Sequence, residues 1–312
     1  MSDMGQAIST GGVSIVIPHY GDPSLAIALL ADLDAQTTTR PLQIIVADDH
    51  SPEPFPSETS VSCEIVRRDS NGGFGAAVNA GAAVAVHPML LILNSDLRIG
   101  PEFIDDLCRA ATPWMPAIIG PALVDEHGSV THSARRFPRL RSSAIAVLVP
   151  LARWRRTDRW HRAVGHLTPA PTSGATVCDW VEGAALLMPT ELFRELGGFD
   201  ERFFMYSEEV DLQTRARLLG IPSVVLGDVS AIHSGGGSSD TTKRFAWLIQ
   251  GEWIYAEKWR GRGAARRYQA VMFGAFLVNL VWNTFRRALG RDSQPLASFA
   301  QNSRSIRHAP SR

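Results

Sequence analysis

Four short segments with the composition of strands, each containing consecutive Ile, Val or Leu residues and followed by polar residues, constrain the fold of this chain most strongly. They cover residues 13–18, 43–47, 64–67 and 88–93, and residues 25–34 between the first two have the apolar spacing of a helix. Alternating buried strands and helices predict an α/β domain with a mostly parallel central sheet and helices on both faces. Because such sheets bind ligands at the carboxyl ends of their strands, we expect the polar strand ends to share one crevice.

Beyond residue 101 the pattern is less regular. Residues 179–189 and 221–226 indicate strands, and residues 191–196 and 208–219 indicate helices. The domain organisation that we predict is a disordered N-terminus (1–12), one α/β domain (13–240) with an insertion on the acceptor side (135–172), a C-terminal helical extension (241–290) and a flexible tail (291–312).

Composition excludes some partners. The 312 residues contain 31 Lys plus Arg and 31 Asp plus Glu, so no bulk charge favours nucleic acid. The three cysteines are far apart and lack metal-ligand spacing, which is typical of reduced core thiols in a cytosolic protein. Residues 1–12 contain no apolar run, so we predict no secretory signal and a cytoplasmic location.

Asn94-Ser95-Asp96 directly follows the fourth strand-like segment, which projects a carboxylate from a strand end. Asp96 is therefore a candidate ligand for Mg²⁺ or Mn²⁺, which would neutralise a bound nucleotide diphosphate. The simpler interpretation is an Asp that caps a turn. His233 precedes a glycine-rich loop at residues 234–239, where it could complete the metal shell or contact the diphosphate, or be an ordinary surface or core histidine.

Three carboxylates, those of Glu208, Glu209 and Asp211, fall in the first turn of the helix predicted at residues 208–219. Acidic residues at this position also stabilise the helix dipole, so the cluster has a purely structural explanation. Clustered negative charges raise the pKa of their members, however, and this suits a general base.

A glycine-rich turn at residues 71–75 (NGGFG) follows the third strand-like segment and opens a helical stretch. It matches a dinucleotide-binding fingerprint poorly, because Val78 occupies the third glycine position. A loop that packs near a bound donor is the preferred interpretation.

These segments, in this order, resemble the inverting family 2 glycosyltransferases with the GT-A fold, and among them the bacterial rhamnosyltransferase-like branch. The most specific stretch is residues 181–220, which looks like the acceptor-side segment and base-bearing helix of that family. Residues 13–22 (VSIVIPHYGD) look like its opening strand and nucleotide-contacting loop, residues 44–54 like its second strand, and residues 71–81 like its donor-side loop and helix.

The resemblance implies that Asp96, with His233 beside it, holds the metal, and that Glu209 is the general base that deprotonates an acceptor hydroxyl. Glu208 and Asp211 stay as alternative bases, because the usual Glu-Asp pair of the family is Glu208-Glu209 here, and its D-x-D motif is Asn94-Ser95-Asp96. The positions that would contact the donor are Pro18, Tyr20, Asp48 (on the pyrimidine base), Gly73, Asn79, Asn94 and Ser95. The positions expected on the acceptor side are Trp180, Glu182 and Gly183.

The implied reaction moves a sugar, with dTDP-L-rhamnose the preferred donor and a UDP-linked sugar the alternative, onto a glycan or polyprenyl-diphosphate-linked glycan in bacterial cell-wall or polysaccharide synthesis. A non-catalytic carbohydrate- or nucleotide-binding scaffold with the same fold is one rival. A nucleotidyltransferase is another, although residues 18–22 lack the phosphate loop that it would need.

Two segments suggest peripheral contact with the inner face of the plasma membrane. Residues 153–162 interleave five arginines with aromatic residues, a composition suited to anionic headgroups, to a diphosphate-bearing acceptor or to an ordinary solvated surface. Residues 268–285 contain no charged residue and are flanked by arginine pairs. They fit a membrane span, an interfacial or oligomer-buried helix, or a core helix.

Overall fold

The computed structural model describes residues 11–59, 61–233, 241–291 and 293–307. Contacts within the chain define two compact units. The sheet unit comprises residues up to 135, 170–204 and 208–233, and the helical unit comprises residues 136–169, 205–207 and 241–307. The predicted insertion and the C-terminal extension therefore belong to one unit.

Nine strands form the central sheet of the described sheet unit, in the order β3-β2-β1-β4-β10-β6-β11-β5, with β8 also paired to β11. Their bounds are Val13–His19 (β1), Leu42–Asp48 (β2), Glu64–Arg67 (β3), Met89–Leu93 (β4), Leu97–Arg98 (β5), Ile118–Val124 (β6), Ala175–Cys178 (β8), Ala185–Pro189 (β10) and Ser223–His233 (β11). A second, two-stranded sheet joins Ala134–Arg135 (β7) to Trp180–Val181 (β9).

The predicted α/β fold is confirmed, and its sheet is mixed. β3, β2, β1 and β4 run parallel, as do β6 and β11. β10 is antiparallel to both β4 and β6, and β5 and β8 are antiparallel to β11. The strand-like segments at residues 13–18, 43–47, 64–67 and 88–93 predicted the parallel half, while the antiparallel insertion of β10 has no local sequence signal.

Helices cover both faces of the sheet, as predicted. The helices of the sheet unit are Ser24–Asp34 (α1), Phe74–Ala83 (α2), Phe103–Ala111 (α3), Thr190–Glu195 (α6) and Glu208–Leu218 (α7). Leu29 of α1 and Leu107 of α3 share a buried cluster with Ile15 of β1. α2 packs on the opposite face, where a Cβ at Gly81 would lie 2.7 Å from Cγ1 of Val16.

The helical unit consists of Leu140–Val147 (α4), Asp158–Ala163 (α5), Thr241–Ala288 (α8) and Pro295–Arg307 (α9), with a 3₁₀ segment at Val149–Trp154. α8 is two helices joined at Gly261, whose φ of 78° is non-helical. The buried core of the helical unit contains Tyr268, Met272 and Phe276. Within the described chain, none of the helices is both long enough and apolar enough to cross a bilayer.

Three expectations about the elements need correction. Residues 295–307 form α9 rather than a flexible tail, because Ile306 is buried against the α8 core. Residues 179–189 are two strands, β9 and β10, and the chain changes sheets at residues 182–184 between them. β11 runs on to His233, beyond the predicted end at residue 226. The glycine-rich loop at residues 234–239 lies outside the described residues.

Candidate active site

The strand directions place the candidate residues at one edge of the sheet. β1, β2 and β4 are parallel and end at His19, Asp48 and Leu93. β6 runs in the same direction as β4, because β10 lies between them and is antiparallel to both, and β11 is parallel to β6. The start of β10 meets this edge too, where the backbone N–H of Asn94 donates to the carbonyl of Ala184 at 2.8 Å.

Asp96 and His233 are neighbours because β5 pairs antiparallel with the end of β11, with Leu97 opposite His233. Nε2 of His233 lies 3.4 Å from Oδ1 of Asp96, and both side chains are largely buried. Burial disfavours protonation of His233, but the hydrogen bond and charge of Asp96 outweigh it and hold the His233 pKa above its ordinary value.

These residues fit a divalent cation. A carboxylate oxygen and an imidazole nitrogen converge, and both are ligand types that transition-metal and Mn²⁺ sites use. In the same loop Oδ1 of Asn94 is buried and has no hydrogen-bond partner among the described residues. Ser95 between them is half-buried.

Glu209, in the first turn of α7, is the carboxylate whose environment suits a general base. Its side chain is 9% exposed, and its Oε2 has no hydrogen-bond partner among the described residues. Gly183 packs against it, since a Cβ there would lie 3.2 Å from Cβ and Cγ of Glu209. Burial raises the pKa of Glu209 to about 7. The backbone N–H of Glu209 and the charge of Arg135 oppose this rise, and the charge of Glu182 adds to it.

Glu182 links the two halves of the site. It accepts a hydrogen bond from Nη2 of Arg135 at 2.8 Å, and its charge acts both on Glu209 and on His233. The guanidinium of Arg135 also lies 5.2 Å from the centre of the Trp180 ring, across the β7–β9 pair. Glu182 and Gly183 therefore lie beside Glu209, and Trp180 lies against Arg135; contact of Trp180, Glu182 and Gly183 with an acceptor stays a prediction.

The sequence analysis missed Arg135. It occupies a two-residue strand at the edge of the segment that we interpreted as an insertion, and such a strand has no detectable periodicity. The β7–β9 pairing alone brings it to the site.

Asp211 and Glu208 differ from Glu209. The Asp211 carboxylate is fully buried and accepts a hydrogen bond from Nε of Arg215 at 3.0 Å, one helical turn away. Glu208 is buried on the side of Gly75, where a Cβ would lie 3.7 Å from the Cβ of Glu208. The roles of these two residues as alternative bases stay predictions.

Asp48, expected on the nucleobase, is fully buried at the end of β2. Its carboxylate accepts from the backbone N–H groups of Ser51 at 2.8 Å and Phe55 at 3.3 Å, and pairs with Arg67. Burial alone would raise its pKa, but these hydrogen bonds outweigh it and hold the pKa of Asp48 below its ordinary value. Asp48 therefore shapes the loop after β2, and a direct base contact stays a prediction.

Asp49, which the sequence analysis did not single out, anchors the glycine-rich loop. Its carboxylate accepts from the backbone N–H groups of Gly72 at 3.0 Å and Gly73 at 2.7 Å, and pairs with Arg68. Gly73 has a φ of 88°, and a Cβ there would lie 1.8 Å from the carbonyl oxygen of Phe204. This loop thus positions the segment that precedes α7.

The remaining donor-side residues also have defined surroundings. The Asn79 amide donates to the carbonyl of Phe199 at 2.9 Å and accepts from its N–H at 2.8 Å, so it fixes residues 197–204 to α2. Pro18 is buried in β1, and Tyr20, just after it, is 48% exposed. Contact of Pro18, Tyr20, Gly73 and Asn79 with a donor stays a prediction.

The mixed sheet with helices on both faces, and with acidic and imidazole groups at its strand ends, is a GT-A fold. Two solved structures share this fold at 14% sequence identity. GalNAc-T7 with UDP, GalNAc and Mn²⁺ matches with a TM-score of 0.55 over 80% of this chain and 51% of that one, so the chain spans about half its length. The mannosyltransferase PcManGT from Pyrobaculum calidifontis, in complex with GDP-Man and Mn²⁺, matches with a TM-score of 0.54 over 96% and 86%.

Sequence comparison narrows the class further. The family model described as glycosyl transferase family 2 matches residues 14–150. The N-acetylglucosaminyl-diphospho-decaprenol L-rhamnosyltransferase of Mycobacterium tuberculosis is 34% identical over 212 residues, which cover 63% of this chain and 67% of that protein. This chain belongs to glycosyltransferase family 2, and the predicted resemblance to its rhamnosyltransferase-like members is confirmed.

Proposed function

We propose that this glycosyltransferase is a metal-dependent, inverting enzyme that moves L-rhamnose from dTDP-L-rhamnose onto a polyprenyl-diphosphate-linked glycan. A UDP-linked sugar is the alternative donor. The observation that carries the proposal is the buried Glu209, with a pKa of about 7 and an Oε2 without a partner among the described residues. The charge of Glu182 acts on both Glu209 and His233, which supports one crevice for Glu209, Asp96 and His233.

In the proposed reaction Glu209 accepts the proton of the acceptor hydroxyl, and the oxygen attacks the anomeric carbon from the side opposite the diphosphate. The bond from the anomeric carbon to the diphosphate oxygen breaks, and a single displacement inverts the configuration. Asp96 and His233 would hold a divalent cation, which when bound neutralises the charge of the leaving nucleoside diphosphate. Arg135 and Glu182 set the protonation of Glu209.

A lipid-linked acceptor and a place at the inner face of the bacterial plasma membrane are supported by two observations. The name of the Mycobacterium tuberculosis relative specifies a diphospho-decaprenol acceptor. In the helical unit the five arginines of residues 153–162 are exposed, and none of them forms an ion pair with a described carboxylate: Arg153, Arg155, Arg156, Arg159 and Arg162. Such a surface suits anionic headgroups and diphosphates, and the acceptor would come from cell-wall or surface polysaccharide synthesis.

The test is transfer from a panel of dTDP-, UDP- and GDP-sugars to a short-chain polyprenyl-diphosphate glycan, with Mn²⁺, Mg²⁺ or chelator. We expect transfer from dTDP-L-rhamnose, and loss of transfer in chelator and in Asp96→Ala. Full activity in chelator would refute the metal assignment. Binding of the donor without turnover in any combination would identify a non-catalytic scaffold.

Glu209→Gln tests the base. We expect it to retain donor binding while the transfer rate falls by roughly 10²- to 10⁴-fold, as when a positioned proton acceptor is removed. Glu191→Gln, on the exposed side of α6, is the matched control and should transfer at the wild-type rate. A wild-type rate for Glu209→Gln would move the role to Glu208 or Asp211.

A further inference from the structure

The helical unit contains a cavity of about 270 Å³ that has no part in the proposed transfer. It opens where α8 breaks at Gly261, so residues from both halves of α8 line it together with the start of α4. Its walls include Leu140, Ala256 and Ala264. The cavity is therefore a built feature of this unit, created by the change of helix direction.

Three arginines surround this apolar interior: Arg139, Arg260 and Arg267. All three are exposed, and none forms an ion pair with a carboxylate of the described residues. Nη2 of Arg260 donates to the carbonyl of Pro138 at 2.9 Å, which fixes the direction of that side chain. Three guanidinium groups that lack a carboxylate partner among the described residues lie at one opening and provide charge-assisted donors for a phosphate.

The floor of the cavity contains one acidic side chain, which is buried and hydrogen-bonded. The buried Glu252 accepts a hydrogen bond from the Tyr268 hydroxyl at 2.9 Å and another from Ser143. Burial outweighs these hydrogen bonds and raises the pKa of Glu252, which favours its neutral form. The floor is thus polar and satisfied, while the opening is positive.

The surface beside the opening is apolar. Arg267 lies one helical turn before Val271, and Val278, Val281 and Phe285 continue the same face at helical spacing. All four of these apolar side chains are exposed. An anionic group held by the arginines would therefore have an apolar path leading away from it along α8.

We infer that the cavity binds the phosphate headgroup of an anionic phospholipid, with the first carbons of the lipid inside and an acyl chain along the exposed face of α8. A headgroup with an attached tail matches both halves of the feature, the arginine opening and the apolar interior. Free phosphate would use the arginines alone. The site is independent of the sugar transfer proposed above.

The test is calorimetric titration with dihexanoyl phosphatidylglycerol below its critical micelle concentration, so that no membrane surface is present. We expect saturable binding of one lipid per chain, weakened by about tenfold or more in R139Q/R260Q/R267Q. The matched control R109Q/R194Q/R217Q removes the same charge from exposed positions of the sheet unit and should bind like the wild type. Ala264→Phe, which fills the cavity without changing charge, should also abolish binding, and thermal melting checks that each variant is folded.

Three outcomes would overturn the inference. One is wild-type affinity in the folded R139Q/R260Q/R267Q variant. Another is equal affinity for inorganic phosphate or for dihexanoyl phosphatidylcholine, since neither combines a net negative headgroup with a tail. The third is a stable dimer by light scattering that does not bind the lipid, because a second copy would then cover this face. A transfer assay with a water-soluble acceptor, run in parallel, reports separately on the proposed function.

Discussion

At the scale of single residues, the protonation of Glu209 is set by a balance of neighbours. Burial raises its pKa to about 7, Glu182 adds to the rise, and Arg135 opposes it. Because Arg135 also forms an ion pair with Glu182, the two neighbours partly cancel each other. A general base with a pKa near 7 is deprotonated in a useful fraction at neutral pH and still accepts a proton readily.

This balance predicts the pH dependence of transfer. The rate should fall about tenfold per pH unit below about 7, where Glu209 becomes protonated, and level off above it. Arg135→Gln removes an opposing positive charge, so the acidic limb should move to higher pH. Glu182→Gln removes a reinforcing negative charge, so the limb should move to lower pH. The measurement is kcat/KM against pH with saturating metal.

The two substitutions have opposite expected signs, which separates this explanation from a general loss of structure. Arg135→Lys keeps the charge and is the control that should leave the midpoint in place. An identical profile for Arg135→Gln and Glu182→Gln would contradict the proposed role of these residues.

At the scale of elements, the glycine-rich loop and α7 depend on each other. Asp49 holds the loop through the N–H groups of Gly72 and Gly73, and the loop's Phe74 N–H donates to the carbonyl of Phe204 at 3.1 Å. Tyr206 and Ser207, just before α7, have φ values of 70° and 72°, a conformation that non-glycine residues adopt at a cost. The contacts and the backbone conformation of the segment before α7 therefore determine where the helix begins, and with it the position of Glu209.

Gly73→Ala tests this dependence. Its Cβ would overlap the Phe204 carbonyl, and alanine is strained at a φ of 88°, so we expect a loss of about 2–4 kcal/mol in unfolding free energy. Gly100→Ala is the control, because nothing lies within 4 Å of its Cβ position and its φ is ordinary. Thermal and urea unfolding give both values, and equal stability of the two variants would refute the close approach.

The elements also show which parts of the fold the sequence pattern predicts. The four segments at residues 13–18, 43–47, 64–67 and 88–93 predicted strands to within one or two residues, since β1, β2 and β4 are buried strands that need an apolar stretch and β3 has β-branched residues at its centre. β7 was not predicted, and β9 was predicted only as part of one longer strand with β10, because strands of two residues carry no period and form by pairing with each other. Arg135 entered the candidate site through that pairing.

At the scale of the whole molecule, the candidate active site and the exposed arginine-rich and apolar surfaces belong to different units. The sheet unit contains the candidate active site, and the helical unit contains the exposed arginines and the apolar face of α8. Within the helical unit, Asn279 of α8 accepts from the Val149 N–H at 2.8 Å and donates to the Val147 carbonyl at 2.9 Å. The arginine-rich segment thus starts beside the apolar face, which is the arrangement of an interfacial surface.

Flotation with anionic vesicles at low salt tests this arrangement. We expect the wild type to float and V281S/F285S to bind roughly tenfold or more weakly, because two exposed apolar side chains no longer enter the interface. L218S/L219S changes two comparably exposed apolar residues of the sheet unit and should float like the wild type. Equal flotation of all three proteins, or none, would contradict membrane contact through α8.

The sequence by itself determined the α/β class, the family, and the carboxylates at the strand ends and in α7, because each depends on local apolar patterning or on a contiguous motif. Tertiary structure alone decided that β10 enters antiparallel, that Asp96 meets His233, and that Arg135 and Glu182 surround Glu209. It also decided that the Asp48 carboxylate accepts hydrogen bonds from backbone N–H groups of the loop that follows β2. The physical reason is that pKa values, ion pairs and cavities depend on distances between residues far apart in the chain, and a local pattern contains no information about those distances.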